Sequence, residues 1–264
     1  MPFLSHAGLS LRYDRAGSGP PVLLIHGWMC NRTFWARQVH VLRDRFTVVT
    51  VDLRGHGESS RPRTGYTPAQ LAADLEHLVR TLGTAKIAVV GWSLGGVVAM
   101  ELARRLGERA SALGLVGTTP GALTDPKNPL AKPETAAAVL EAIDADFRGY
   151  VRAFAARCFK DGAASLHATW AATEMQKTPP AVARAAAEGL FAADLRPHLK
   201  ALRVPAAVLH GRHDDLLPFA GGEYLATHIP GAKLVAFEGS GHTPHLEEPD
   251  AFNAALAELL ARGR

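Results

Sequence analysis

The chain has 264 residues, 47% hydrophobic and 20% charged, enough for one large α/β domain or two small ones and too apolar for a disordered polymer. No run of eighteen apolar residues occurs, which excludes a helical membrane span. The net charge of +4 is spread along the chain, and no basic run is interleaved with aromatics, so no nucleic-acid partner is expected.

The opening MPFLSHAGLSLRYDRAG has neither a basic start followed by an apolar stretch nor an Arg-rich amphipathic pattern. With only Cys30 and Cys158, at no metal-ligand spacing, neither a disulfide framework nor a zinc ribbon is expected, and a cytoplasmic setting fits. LSLRYDRAG at 9–17 alternates like a half-exposed strand. PPVLLIHG and FTVVTVD read as buried strands, with a helical segment from about Thr33 to Arg43 between them. The next helix starts at Thr67-Pro68-Ala69-Gln70, where a Thr cap, a Pro at the first turn and a Gln three residues on form a capping box. Its stripe of Leu71, Leu75, Leu78, Val79 and Leu82 lies on one face, and Gly83 ends it.

The strand KIAVV, the turn GWSLGG, the helix VVAMELARRLG and the strand ALGLVG follow, a progression that predicts a parallel sheet with crossover helices. At about Thr119 the texture changes. A Pro/Gly/Asp/Asn-rich stretch leads into Ala- and Arg-rich helical segments that run to about Leu202 without a strand signal. Strands resume with VPAAVLHG at 204–211 and AKLVAFEG at 232–239, and a last helix begins near Pro249. The simplest organisation is an α/β core of residues 1–119 and 198–264, interrupted by a helical insertion at 120–197.

The richest chemistry lies in Gly91-Trp92-Ser93-Leu94-Gly95-Gly96, between a predicted buried strand and a predicted helix. A serine on such a sharp turn is held strained, with small residues two before and two after letting strand and helix pass closely. The helix amino terminus then faces its hydroxyl and stabilises developing negative charge. A dinucleotide site is excluded, because GWSLGG lacks the second glycine of GxGxxG.

A serine hydroxyl needs a base, and the base needs an orienting carboxylate. His242, in the loop after the last predicted strand, is the candidate base, and His245 is its rival or a surface loop residue. Asp214, at the carboxyl end of VPAAVL, is the candidate acid, where open parallel sheets carry their sites. Asp215 is an alternative, and Asp52 reads better as the brace of a turn. The order Ser93, Asp214, His242 is that of an α/β-hydrolase triad. His26-Gly27-Trp28 supplies the last element: backbone N–H groups of Trp28 and Leu94 as an oxyanion hole, with His26 as a loop brace. Trp28 and Trp92 flank these motifs and are candidate substrate-binding residues. His210, His213 and Asp214 lie too close along one loop to converge on a metal, and no metal or other cofactor is expected.

Together HGW, DLRGHGES, GWSLGG, HGRHDDLLP and GSGHTPHLEEPDAF resemble the α/β-hydrolase superfamily over nearly the whole chain outside the insertion. The resemblance implies a mostly parallel central sheet flanked by helices, with residues 120–197 as a helical cap inserted before the acid strand. HGW, GWSLGG and LFAADLRPHLKALRVP look like pimeloyl-acyl-carrier-protein methyl ester esterases. DLRGHGESSRP and PGAKLVAFEGSGHTPHLEEP are equally similar to enol-lactone hydrolases and cofactor-free haloperoxidase-like esterases. Relatives resembling haloalkane dehalogenases and epoxide hydrolases need an aspartate at the turn, so Ser93 argues against those reactions. The expectation is a serine carboxylesterase for small-molecule, short- to medium-chain esters, with lactone hydrolysis or perhydrolysis as alternatives on the same triad. A small-molecule-binding receptor is the non-enzyme alternative. The cap carries Arg148, Arg152, Arg157 and Lys160, which the resemblance would make a docking face for an acyl carrier protein and which otherwise read as a solvated helix face.

Overall fold

A computed structural model describes residues 2–6, 8–121, 123, 125 and 133–263, with the backbone alone at 133 and 134. In chain order its elements are β1 (Phe3–His6), β2 (Leu9–Ala16), β3 (Pro21–Ile25), α1 (Ala36–Leu42), β4 (Thr47–Val51), α2 (Pro68–Thr81), β5 (Ile87–Trp92), α3 (Leu94–Leu106) and β6 (Ala110–Val116). They continue with α4 (Pro133–Arg157), α5 (Ala168–Met175), α6 (Pro180–Ala192), β7 (Ala206–Gly211), α7 (Phe219–His228), β8 (Lys233–Phe237), α8 (Pro244–Glu247) and α9 (Pro249–Arg262).

The strands form one sheet in the order β1-β2-β4-β3-β5-β6-β7-β8. Only β1 and β2 run antiparallel to their neighbours; from β4 to β8 every pairing is parallel. Strands β4 and β5 are buried along their whole length, as expected of parallel strands covered by helices on both faces. β2, expected to alternate, does not: Leu11 and Arg12 are adjacent and both buried, because the Arg12 guanidinium is folded onto Asp14 and the Tyr13 carbonyl.

Local signals explain where the elements start and stop. The Oγ1 of Thr67 accepts from the Gln70 amide, and Pro68 opens α2. The reciprocal half of the box differs from expectation, since the Gln70 side chain accepts from the Thr67 hydroxyl rather than from its amide. Among the described elements, three carry no clear sequence signal: β1, a four-residue edge strand; α7, whose Gly221 and Gly222 weaken any helical reading; and α8, a single turn inside the expected loop before the last helix.

Among the described residues, α4, α5 and α6 fall within the predicted insertion, a short 3-10 helix at Arg196–Ala201 runs past its expected end, and the bridge Gly121↔Asp194 ties its two ends together. Helix α4 changes direction at Asp146, whose φ of −151° is not helical. Residues 122, 124 and 126–132 of the Pro/Gly-rich stretch that precedes α4 lie outside the described residues. No described helix is long and apolar enough to cross a membrane.

Candidate active site

The parallel strands end on one side of the sheet, and the loops leaving β3, β5, β6, β7 and β8 meet there. Ser93 stands between β5 and α3 with φ 56° and ψ −120°, a conformation a non-glycine residue holds only where its surroundings enforce it. Those surroundings are explicit. Its amide donates to the carbonyl of Val116 at 2.9 Å, and its carbonyl accepts from the Thr118 hydroxyl at 2.8 Å. A Cβ on Gly95 would stand 2.4 Å from the Ile25 carbonyl oxygen, and one on Gly96 would stand 2.5 Å from the Thr118 side chain. The bend therefore depends on the two glycines that follow Ser93.

Beside it, the Cys30 amide donates to the Gly27 carbonyl at 3.2 Å, closing a tight turn with Met29 at φ 60°. Left-handed backbone at a methionine is strained. Among the described residues the Trp28 and Leu94 amides donate to no carbonyl, as expected at a helix amino terminus for Leu94. His26 locks the base of this turn. Its Nδ1 lies 2.7 Å from the Gly27 carbonyl, and its Nε2 accepts from the Leu53 amide at 3.0 Å. Burial lowers its pKa to about 4, against a smaller opposing effect of the Gly27 hydrogen bond. It is a neutral brace.

Asp214 and His242 meet across the site. Nδ1 of His242 lies 2.8 Å from Asp214 Oδ2, while Asp214 Oδ1 accepts from the amides of Leu216 at 3.0 Å and Leu217 at 2.8 Å. Burial alone would raise the pKa of this carboxyl. The charge of His242 and the hydrogen bonds from His210 and His242 outweigh burial and hold it well below the ordinary range, so it stays ionised.

Asp215 points elsewhere. It is exposed and pairs with Arg157 of α4, Nε to Oδ2 at 3.0 Å. Asp52 is buried and accepts from the Arg32 amide at 2.7 Å, from the Arg32 guanidinium at 2.6 Å and from the Glu58 amide at 2.9 Å. It braces the DLRGHGES turn, as its sequence context suggests.

A cavity of about 200 Å³ opens over Ser93 and His242. Trp28 lines it with Leu123, Val139, Phe154, Leu190 and Phe191, and Arg157, Asp215 and Tyr150 add polar groups. The insertion supplies most of the apolar wall. Trp92 is not among the lining residues. It is buried beneath the site, and its indole N–H donates to the His242 carbonyl at 2.8 Å. Arg148 and Arg152 are exposed on α4.

Several participants have no signature in the sequence. The His242 amide donates to the Cys158 carbonyl at 2.9 Å, so the end of α4 holds the His242 loop directly. Glu247 gathers the Lys160 amide at 2.7 Å, the Gly241 amide at 2.9 Å and the Thr243 hydroxyl at 2.9 Å. Gly117, at φ 45°, leaves room behind the pair, because a Cβ there would lie 2.9 Å from the His242 carbonyl oxygen and 3.2 Å from its Nδ1. His245, expected as a rival base or a surface residue, is neither exposed nor near a carboxylate partner. It is fully buried between Trp35 and Trp92, with ring centroids at 4.7 and 4.8 Å. His213 is exposed, whereas His210 is buried against Asp214.

Comparison with known proteins agrees with this architecture. The family described as "Alpha/beta hydrolase family" matches residues 22–255. A pimeloyl-[acyl-carrier protein] methyl ester esterase of Aromatoleum aromaticum is 34% identical, with 92% of this chain and 99% of that protein covered. Among solved structures, an esterase from Exiguobacterium antarcticum superposes with a TM-score of 0.92 at 27% identity, covering 97% of each chain. The enol-lactonase from Burkholderia xenovorans LB400 gives 0.90 at 28% identity, covering 98% of this chain and 100% of that one.

Proposed function

Because this chain belongs to the alpha/beta hydrolase family, we propose that it is a serine carboxylesterase acting on short- to medium-chain esters through an acyl-enzyme. The observation that carries this reading is the 2.8 Å contact of His242 Nδ1 with Asp214 Oδ2, made beside a strained serine in the same cavity. A carboxylate only accepts, so Nδ1 bears the hydrogen and Nε2 is the basic nitrogen.

Ser93 Oγ attacks the ester carbonyl carbon while His242 Nε2 takes its proton. The oxyanion is held by the Trp28 and Leu94 amides, which have no backbone acceptor of their own among the described residues and are preorganised for that charge. Collapse expels the alcohol, to which His242 returns the proton. Water then attacks the acyl-enzyme as His242 takes a proton from it, releasing the acid and restoring the serine. Asp214 fixes the imidazole and stabilises its cationic form. The apolar wall supplied by the insertion fits an acyl chain, with residues 120–197 acting as the cap. An acyl group delivered on a carrier protein is consistent with the named relative and with exposed Arg148 and Arg152.

Lactone hydrolysis is the second reading, favoured by the likeness to an enol-lactonase at a TM-score of 0.90. The test is hydrolysis of a chromogenic ester series from acetate to octanoate, with a matched lactone, by the wild-type chain and Ser93→Ala at neutral pH. Ester turnover that drops about a thousandfold or more in Ser93→Ala is expected. Turnover of the lactone alone moves the assignment to the second reading. Equal rates in both proteins remove Ser93 as the nucleophile.

A further inference from the structure

His210 stands outside the triad, yet it touches the triad's acid. Its Nε2 lies 3.2 Å from Asp214 Oδ2, the same oxygen that His242 contacts, and 2.8 Å from the Leu217 carbonyl. Both neighbours accept hydrogen bonds, so Nε2 carries a hydrogen. Nδ1 is buried and has no hydrogen-bond partner. It faces Gly222, where a Cβ would stand 2.8 Å away. The ring is fully buried and meets the edge of Phe219 at 5.7 Å between centroids. The imidazole is thus fixed with one edge on the acid and the other in an apolar slot.

We propose that His210 is a positioning residue for the reaction: its one Nε2 hydrogen, bonded to the Leu217 carbonyl at 2.8 Å, is shared with Asp214 Oδ2 at 3.2 Å and so moderates how strongly that carboxylate holds the base. The proposal rests on the serine-hydrolase reading and adds a part to it. A carboxylate oxygen shared between two donors stabilises the His242 cation less than one reserved for it. His210 also bridges Asp214 to the Leu217 carbonyl, closing the loop whose Leu216 and Leu217 amides grip the other oxygen.

The groups around this carboxylate are His242 from the loop after β8, His210 from β7 and the Cys158 thiol at the end of α4; His245 faces His242, and Glu247 of α8 faces Cys158. Burial, with the charges of Asp214 and Glu247, pushes the Cys158 thiol far up. Burial and the charge of His242 push His245 down to about 3. Between pH 5 and 8 the thiol and His245 are therefore neutral.

The test compares His210→Gln, whose amide nitrogen reaches the Nε2 position, with His210→Asn and His210→Leu, which place no donor there. Each is assayed for ester hydrolysis from pH 5 to 9, with Ser93→Ala as the control for the catalytic reading. Loss of the donor should lower kcat by about tenfold, the worth of one hydrogen bond to a charged group. It should also move the acid limb of kcat/KM to higher pH by about half a unit or more, with His210→Gln restoring both. An unmoved acid limb in a folded donor-lacking variant overturns the proposal, as does a Gln variant no better than Asn or Leu. If neither donor-lacking variant folds, 15N NMR of the wild-type chain decides: hydrogen on Nε2 of His210 supports the proposal, and a neutral ring with hydrogen only on Nδ1 overturns it. Should Ser93→Ala retain full activity, the serine-hydrolase reading fails, whereas failure of the His210 proposal alone leaves that control inactive.

Discussion

A Cβ placed on Gly91 would stand 2.0 Å from the carbonyl oxygen of Gly95, so the last turn of β5 and the first turn of α3 are in contact across Ser93. The carbonyl belongs to backbone that is itself fixed, because Gly95 lies against the Ile25 and His26 carbonyls. Neither partner can retreat. Gly91→Ala and Gly95→Ala should each destabilise the fold by about 3 kcal/mol or more, at or beyond the upper end for overpacking, since backbone rather than side chain must move. Denaturant titration followed by circular dichroism measures this. Either variant melting within a degree of wild type would show that the elbow has slack the close approach denies it.

The Arg157 to Asp215 pair joins α4 to the loop beside Asp214, and both side chains line the cavity. Both are largely exposed, so the pair contributes about 0–1 kcal/mol to stability. Its position is what matters. Arg157→Gln should leave the melting temperature within about 2 °C of wild type. It should change KM across an ester series by a few-fold or more while kcat stays within about twofold, the pattern for a group that contacts substrate equally in ground and transition states. A fall in kcat at constant KM would instead make Arg157 part of the chemical step.

The elbow, the three loops bearing Ser93, Asp214 and His242, and the helical texture of the insertion are legible because each is a local pattern: a strand run, a turn and a helical period within a few residues. Contacts across long sequence separation are not. Trp92 stands beside the serine and reads as a pocket residue, yet its indole reaches the carbonyl of His242, 150 residues away, and periodicity carries no trace of that bond. His210 and Asp214 sit four residues apart, as a metal pair would, but the sequence does not say that strand β7 ends between them and turns one ring onto the other's carboxylate. Glu247 and Glu248 carry no signal of their own in the sequence. They hold the His242 loop through the Gly241 amide and the Gly239 amide respectively, a role that backbone donors cannot advertise.

Three buried histidines set the response of the fold to acid. Burial lowers the pKa of His26 to about 4 and, with the charges of His26 and His242 respectively, those of His56 and His245 to about 3. Each is depressed below its unfolded value of about 6.5, so the unfolded chain binds more protons at pH 4–6. Their contribution to stability is full above pH 6.5 and is lost as pH falls, toward 4 for His26 and toward 3 for the others. Each adds up to about 1.4 kcal/mol per pH unit to the slope. Urea midpoints should therefore fall steadily from pH 7 to 5; a flat profile there would mean these rings are not held neutral. His245 isolates one share of the effect. Both its nitrogens are buried without a hydrogen-bond partner, among Trp35, Trp92 and Phe252, while its carbonyl is already served by Gln38 at 2.9 Å. His245→Phe keeps a ring in that slot and removes two unpaired polar atoms, each costing about 1–3 kcal/mol while buried. The variant should melt a few degrees higher and lose about one proton from the acid slope. A drop of more than about 5 °C would show that these nitrogens do have partners in solution.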